Sequence, residues 1–340
     1  MKILVLGDFR RDSPHFLLNN PRMFSKGFVR NGHDVLEFSY RERLLRHSPF
    51  KSKKLAVTLA KKKTDRLLAQ LARHHQSDIV FITAFKLLDA QTVLQIKEVL
   101  PSAMIICWYS DPPKDINPTV TDIALQCDWF LSTSGAEVLQ LYKSLNVAHC
   151  AFMPNPCDPD VQHPVEVSPK WRSKLLFMGK LKHNRTGQDS LRWELIQFLV
   201  EKKAMTVWGA LGNPAIKGQD YINAISGAET ALSINVYNDV RFYHSDRLTH
   251  FMSCGAFVLA KQVPDSDLLF EDGRHICYFE SLEHCLELID RFETDKARRQ
   301  EIAAAGMKHA HETFNCAKLA SHIIDLATKG DYKETWREIV

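Results

Sequence analysis

The stretch "SDRLTHFMSCGAFVLA", residues 245–260, decides how this chain is read. Ser245 is a favoured residue for the start of a helix, and a short helix over 246–254 is expected after it. Cys254-Gly255 stops it, because glycine can take the left-handed turn that closes a helix. The run "AFVLA" then reads as a strand covered on both faces. The first N–H groups of a helix lack internal partners and carry partial positive charge, so an anion is their natural guest. Arg247, in that first turn, adds a forked cationic donor suited to phosphate oxygens.

Working outward, the same strand–helix texture fills the second half. Strands are expected at 174–179, 204–208, 230–236, 256–260 and 275–279. Helices are expected at 189–202, 218–226, 246–254, 281–293, 295–311 and 315–328. The first half alternates likewise, with strands at 2–7, 34–40, 78–83, 103–109, 128–133 and 149–154. Its helices are expected at 20–31, 89–99 and 135–145. Repeated strand–helix–strand units imply parallel sheets with right-handed crossovers. Between the halves, "MPNPCDPDVQHPVEVSPKW" (153–171) carries five prolines and no period, as a linker would. The expected division is therefore 1–155, a hinge at 156–170, 171–328, and a tail at 329–340 that crosses back to the first domain. The fold class is α/β, with two Rossmann-like, doubly wound parallel-sheet domains facing a cleft.

Length and composition agree with two soluble cores. The chain has 340 residues, 45% hydrophobic and 25% charged, and 44 Lys/Arg against 40 Asp/Glu give a net charge of +4. So mild a balance argues against nucleic acid as a partner. No apolar run reaches the length of a membrane span, and the start lacks the pattern of a secretion signal, so a cytoplasmic location is expected. Eight scattered cysteines with no CxxC read as buried thiols.

A second basic loop, "LLFMGKLKHNRTGQDS" (175–190), leaves the first strand of the second half through Gly179, with Lys180 and Arg185 following. A third, "VWGALGNP" (207–214), turns at Gly209. Two basic loops at one sheet edge favour a diphosphate site. In the first half, "GDFRRDSPHF" places Asp8, Asp12 and His15 after the first strand, and Asp111 follows the fourth. One of these is the expected base for an acceptor hydroxyl. No metal site is evident: "DPD" (158–160) and "DSD" (265–267) have a metal-type spacing but sit in the proline segment and a loop. The segment 41–68 carries ten Lys/Arg against two acids, with Leu55, Leu59, Leu67 and Leu68 as an apolar stripe. Residues 41–66 are thus a candidate contact with an anionic membrane surface.

With these motifs in hand, the chain resembles GT-B glycosyltransferases, closest to the group of spore-maturation CgeB-like proteins. The resemblance rests on "RLTHFMSCGAFVLA…DSDLLFEDGRHICYF", in which Arg247 and Gly255 hold the register. It rests also on "FMGKLKHNR", "ALSINVYND", "IICWYSDPP" and "CDWFLSTSGAEVLQLYKSLNV". It implies transfer of a sugar from a nucleotide-diphosphate sugar, UDP- or GDP-type, to a glycan, lipid-linked or protein acceptor, without a cofactor or metal. The donor would be held by Gly179, Lys180, Arg185, Gly209, Tyr237, Ser245, Arg247 and His250. Relatives with a retaining mechanism carry two glutamates across this helix; here those positions are Phe242 and His250. A donor-hydrolysing nucleotide-sugar epimerase and a non-catalytic binding module on the same scaffold are the alternatives.

Overall fold

The computed structural model describes residues 1–49, 53–111, 116–181 and 188–340, apart from the side chains of 16, 53, 54 and 188–191. It contains two compact units, Met1–Pro154 with Cys316–Val340, and Asn155–Asn315.

The first unit holds a six-stranded parallel sheet in the order β2-β1-β3-β4-β5-β6. Its strands are β1 (Lys2–Gly7), β2 (Asp34–Ser39), β3 (Ile79–Ile82), β4 (Met104–Tyr109), β5 (Trp129–Ser132) and β6 (Cys150–Phe152). The helices are α1 (Asn20–Arg30), α2 (Tyr40–His47), α3 (Lys53–His75), α4 (Ala90–Val99), α5 (Pro118–Ala124) and α6 (Glu137–Ser144). The centre of β1 and all of β3 and β5 are buried, as their unbroken apolar sequence requires. Phe24 on α1 meets Phe81 and Trp108 edge-on, each with centroids 5.0 Å apart, and ties the helix to β3 and β4.

The second unit's sheet has the order β11-β10-β9-β7-β8, again all parallel. Its strands are β7 (Ser173–Met178), β8 (Thr206–Trp208), β9 (Ala228–Ser233), β10 (Phe257–Lys261) and β11 (Cys277–Phe279). The helices α7 (Gln188–Lys203), α8 (Gln219–Ser226), α9 (Asp246–Ser253), α10 (Leu282–Thr294) and α11 (Lys296–Thr313) connect and flank them. Phe177, Ile196, Leu232, Phe257 and Leu259 form the centre of its core.

Three expectations need correction. First, α12 (Cys316–Lys329), assigned to the second half by sequence, belongs to the first unit. The reason is Gly27 on α1: a methyl there would stand 2.1 Å from the Cys316 carbonyl oxygen. The missing side chain lets the helices touch backbone to backbone, and Asn31 Nδ2 donates to Ala317 O at 2.8 Å. The rest of the tail follows: Ile339 pairs antiparallel with Ala151 on the edge strand, and Tyr332 and Trp336 are buried. Second, the proline-rich segment is not a loose connection at its start. Asn155, Cys157, Asp158 and Gln162 are buried in the second unit, and Cys157 N donates to Phe314 O at 2.8 Å. Third, α2 and α5 are helices that the sequence reading did not single out. All eight cysteines are buried free thiols, and burial pushes Cys150, Cys254 and Cys285 up to about 12.

Candidate active site

In both sheets the chain starts at an inner strand, visits one neighbour, then crosses to the other side. In the second unit this places the reversal between β7 and β9. Ligands of open α/β sheets settle just beyond the carboxyl ends of the strands at such a reversal.

Arg247 sits at this point. Its Nη1 donates to Met178 O, the last residue of β7, at 2.6 Å. Its Nη2 donates to Ile234 O, one residue past β9, at 3.3 Å. Its Nε donates to Ser245 Oγ at 3.0 Å. The guanidinium thus bridges the two strand ends, using three of its five N–H groups. All three partners are neutral oxygens, and no described carboxylate pairs with it.

Gly179 is what makes this seat. It has φ +152°, and a methyl on it would stand 2.2 Å from Arg247 Nη1 and 3.4 Å from Arg192 Nη2. Two guanidiniums therefore converge on the space where a side chain would be. Both also lie over the Phe177 ring, at 5.5 Å for Arg192 and 5.6 Å for Arg247. Arg192, on α7, is 3% exposed. Sequence reasoning missed it, because an arginine inside a helix reads as a solvated residue; its place between Leu191 and Trp193 in "LRW" was the available signal. Gly209, with φ +87°, packs on Gly179: its added methyl would stand 3.1 Å from Gly179 O. Gly179 N donates to Trp208 O at 2.9 Å, so the loops after β7 and β8 are laced together.

Ser245 precedes α9 in extended backbone, as expected, but its hydroxyl does not cap the helix. It accepts from Arg247 instead, which orients the guanidinium, while Leu248 N in the first turn donates to Ser245 O at 3.0 Å. Asp246, half-buried in that turn, offsets part of the positive end. At the other end, Gly255 takes φ +79°, Gly255 N bonds Met252 O and Ala256 N bonds Phe251 O, the closing turn that the sequence implied.

The loop 234–245 that delivers α9 hangs on Asn235, which is buried. Its Nδ2 donates to Tyr243 O at 3.2 Å and its Oδ1 accepts from Ser245 N at 3.1 Å. Asn238 closes the same loop onto Asn235 O, and Asn155 Nδ2 donates to His244 O at 2.9 Å. His244 is buried against Phe270 and Phe314, and burial pushes its imidazole down to about 4. Tyr237 lies in this loop, half-buried. None of these asparagine contacts is legible from local sequence.

His250, one turn along α9 from Arg247, is 3% exposed. Its Nδ1 lies 3.3 Å from Tyr221 Oη, and its Nε2 is buried with no described hydrogen-bond partner. Burial holds its pKa down, and the nearby Asp246 carboxylate works against that. A neutral imidazole with an unused nitrogen suits a sugar hydroxyl. Lys180 is exposed, and Arg185 lies outside the described residues.

The first unit's candidates fare differently. Asp8 follows β1 directly, but its Oδ2 is held by Arg10 Nε at 3.2 Å and Arg41 Nη1 at 3.3 Å. Asp8, expected among the candidate bases, thus has two guanidiniums on one carboxylate oxygen. Asp12 and His15 are exposed beside it, and Asp111 is exposed two residues past β4. The two metal-like spacings are also spoken for: Asp158 Oδ1 accepts from Asp160 N, and Asp265 pairs with Arg241 at 3.0 Å. Among the described residues no group of three His, Cys, Asp or Glu converges as metal ligands would.

The comparisons bear on this geometry. Residues 185–325 match a family described as glycosyl transferase-like. No curated protein matches the chain in sequence. Among solved structures, HepE of Anabaena, crystallised with UDP and glucose, superposes with TM-score 0.60 at 12% identity, covering 96% of this chain and 98% of that one. Sucrose-phosphate synthase of Thermosynechococcus elongatus gives 0.64 at 12% identity, covering 97% and 98%. A putative UDP-N-acetylglucosamine 2-epimerase of Listeria monocytogenes gives 0.58 at 8%, covering 97% and 96%. The fold is GT-B. Within it, residues 185–325 carry the glycosyl transferase-like match, and that stretch contains Arg192, Gly209, Ser245, Arg247 and His250.

Proposed function

We propose that this GT-B protein transfers a sugar from a nucleotide-diphosphate sugar, and that its second unit binds the donor. One observation carries the reading: Arg247 bridges the ends of β7 and β9 with neutral partners only, in a seat opened by Gly179 and shared with Arg192. A pyrophosphate there would meet two guanidiniums and the first turn of α9. As the bond from sugar to phosphate breaks, negative charge grows on the leaving diphosphate. Fixed cations and N–H dipoles stabilise it without a metal, each contributing a few kcal/mol. His250 would take a donor hydroxyl where relatives place a glutamate. UDP is the favoured nucleotide, since HepE was solved with it. For an inverting reaction, Asp12, His15 or Asp111 would accept the acceptor proton. The acceptor is a glycan, a lipid-linked carrier or a protein, and we place the protein against an anionic membrane surface through its basic segment. No described helix is long and apolar enough to cross a membrane.

The epimerase-like neighbour favours a second reading, in which the donor is hydrolysed rather than transferred. Titration calorimetry with UDP, GDP and CDP, followed by turnover of UDP-sugars with and without added acceptors, separates the two. Transfer predicts UDP binding with turnover that rises with acceptor. Turnover indifferent to acceptor favours the second reading, and absence of binding to every diphosphate overturns both.

A further inference from the structure

The basic segment resolves into two different surfaces. Lys61 is not part of a free face: its Nζ pairs with Asp65 at 2.6 Å and Asp89 at 3.2 Å and donates to Thr92 Oγ1 at 2.8 Å. Leu68 is fully buried and Leu67 half-buried. On the opposite side of α3 a different stripe emerges. Leu55, Leu59, Lys62 and Arg66 fall at helical spacings of four, three and four, and so share one face. Leu55 is 43% exposed and Leu59 55% exposed, while Lys62, Lys63 and Arg66 are all exposed.

The adjacent helix α2 adds Arg43 and Arg46, also exposed. Their nearness to α3 is reported by His47, whose Nδ1 lies 3.0 Å from Thr64 Oγ1. Its imidazole is held down first by burial, then by the charges of Lys63, Arg43 and Arg46. None of these five cations pairs with a described carboxylate. The only acids on the two helices are Glu42, which accepts from Arg11 N, and Asp65, which is buried. Exposed leucines ringed by unpaired cations match the two layers of an anionic bilayer surface, headgroup charge outside and acyl chain below. A polyanion in solution would use the cations but leave the leucines without a role.

Building on the membrane reading above, we propose that Leu55, Leu59, Lys62, Lys63 and Arg66 of α3, with Arg43 and Arg46 of α2, dock the protein on an anionic lipid surface. The leucines enter the headgroup boundary and the cations pair with lipid phosphates.

Co-sedimentation tests this with vesicles of phosphatidylcholine alone and with about 30% phosphatidylglycerol as the anionic lipid. The full chain is expected to bind only the charged vesicles, and less as salt rises. The variant K62E/K63E/R66E should lose about a hundredfold in partitioning, since each surface cation is worth roughly fivefold. L55S/L59S should also lose binding, while binding of heparin stays unchanged. UDP titration of each variant checks that the second unit is intact and tests the donor reading separately. Equal binding to both vesicles, no binding to either, or an L55S/L59S variant as competent as the parent would overturn the proposal. So would heparin or RNA binding that outcompetes the vesicles, which would mark the face as a polyanion site.

Discussion

The loops leaving β1 and β7 occupy equivalent places, each just past the first strand of a parallel sheet and each approached by arginines from other elements. They handle charge in opposite ways. After β1, Arg10 and Arg41 close on Asp8, and Arg11 pairs with Glu37 of β2, so the loop's arginines are neutralised by carboxylates within the unit. After β7, Arg247 bonds only neutral oxygens and shares its seat with Arg192. Two nearby cations repel, and a bound anion removes that repulsion. Sequence composition alone would rank the two loops alike. Pairing is what sets the proposed anion site apart from the other loop.

The comparison breaks most directly at Arg247. Arg247→Ala removes two strand-end hydrogen bonds and the cation, and is expected to weaken UDP binding about 150-fold, roughly 3 kcal/mol for charge-assisted bonds lost to a diphosphate. Calorimetry with UDP, UMP and uridine checks it. The loss should be largest for the diphosphate; equal loss for all three would mean that the unit has merely been disordered. Arg192→Ala should follow the same order with a smaller loss.

A neutral scaffold should also fail in acid. His244 holds the loop before α9 as a buried neutral imidazole, with its pKa pushed from 6.5 down to about 4. A depressed histidine binds fewer protons folded than unfolded between those values. Its contribution is therefore complete above about pH 6.5 and lost as pH falls toward 4. At pH 5 the expected loss is about 2 kcal/mol. Hydrogen exchange across 234–250 at pH 7 and pH 5 measures it, and His244→Gln should flatten the dependence.

Gly179 sharpens the comparison at smaller cost. Gly179→Ala puts a methyl 2.2 Å from Arg247 Nη1, so the guanidinium must leave its seat. UDP affinity is expected to drop about tenfold, and thermal stability to fall, because φ +152° is unfavourable for alanine. Gly32, after α1, has φ +80° but nothing within 4 Å; Gly32→Ala should destabilise through the backbone alone and leave UDP binding intact.

Most of this architecture is written in local pattern. Buried parallel strands are short apolar runs, and glycine closes α9 at Gly255, so neighbouring residues suffice to place them. The site's detail is written across distance. Asn235 acts through residues 243 and 245, and Arg192 matters because it meets Arg247 from another helix. No periodicity encodes such meetings. The misplaced α12 has the same cause. Its apolar face says that it packs, but only Gly27, nearly 300 residues earlier, says on which sheet.

The smallest expected effect tests the other half of the comparison. If the loop after β1 is a self-neutralised structure, Asp8→Asn leaves Arg10 and Arg41 without their carboxylate and should cost about 1 kcal/mol of stability. UDP affinity should not change if, as proposed, the anion site belongs to the second unit. If the paired Asp8 only holds the loop, turnover should persist; Asp12→Asn, His15→Gln and Asp111→Asn are then the variants in which an inverting enzyme would lose it. Should Asp8→Asn instead abolish turnover at unchanged stability and UDP affinity, the two arginines would be tuning a catalytic carboxylate. The contrast between a neutralised loop and an open one would then have to be redrawn around chemistry on both.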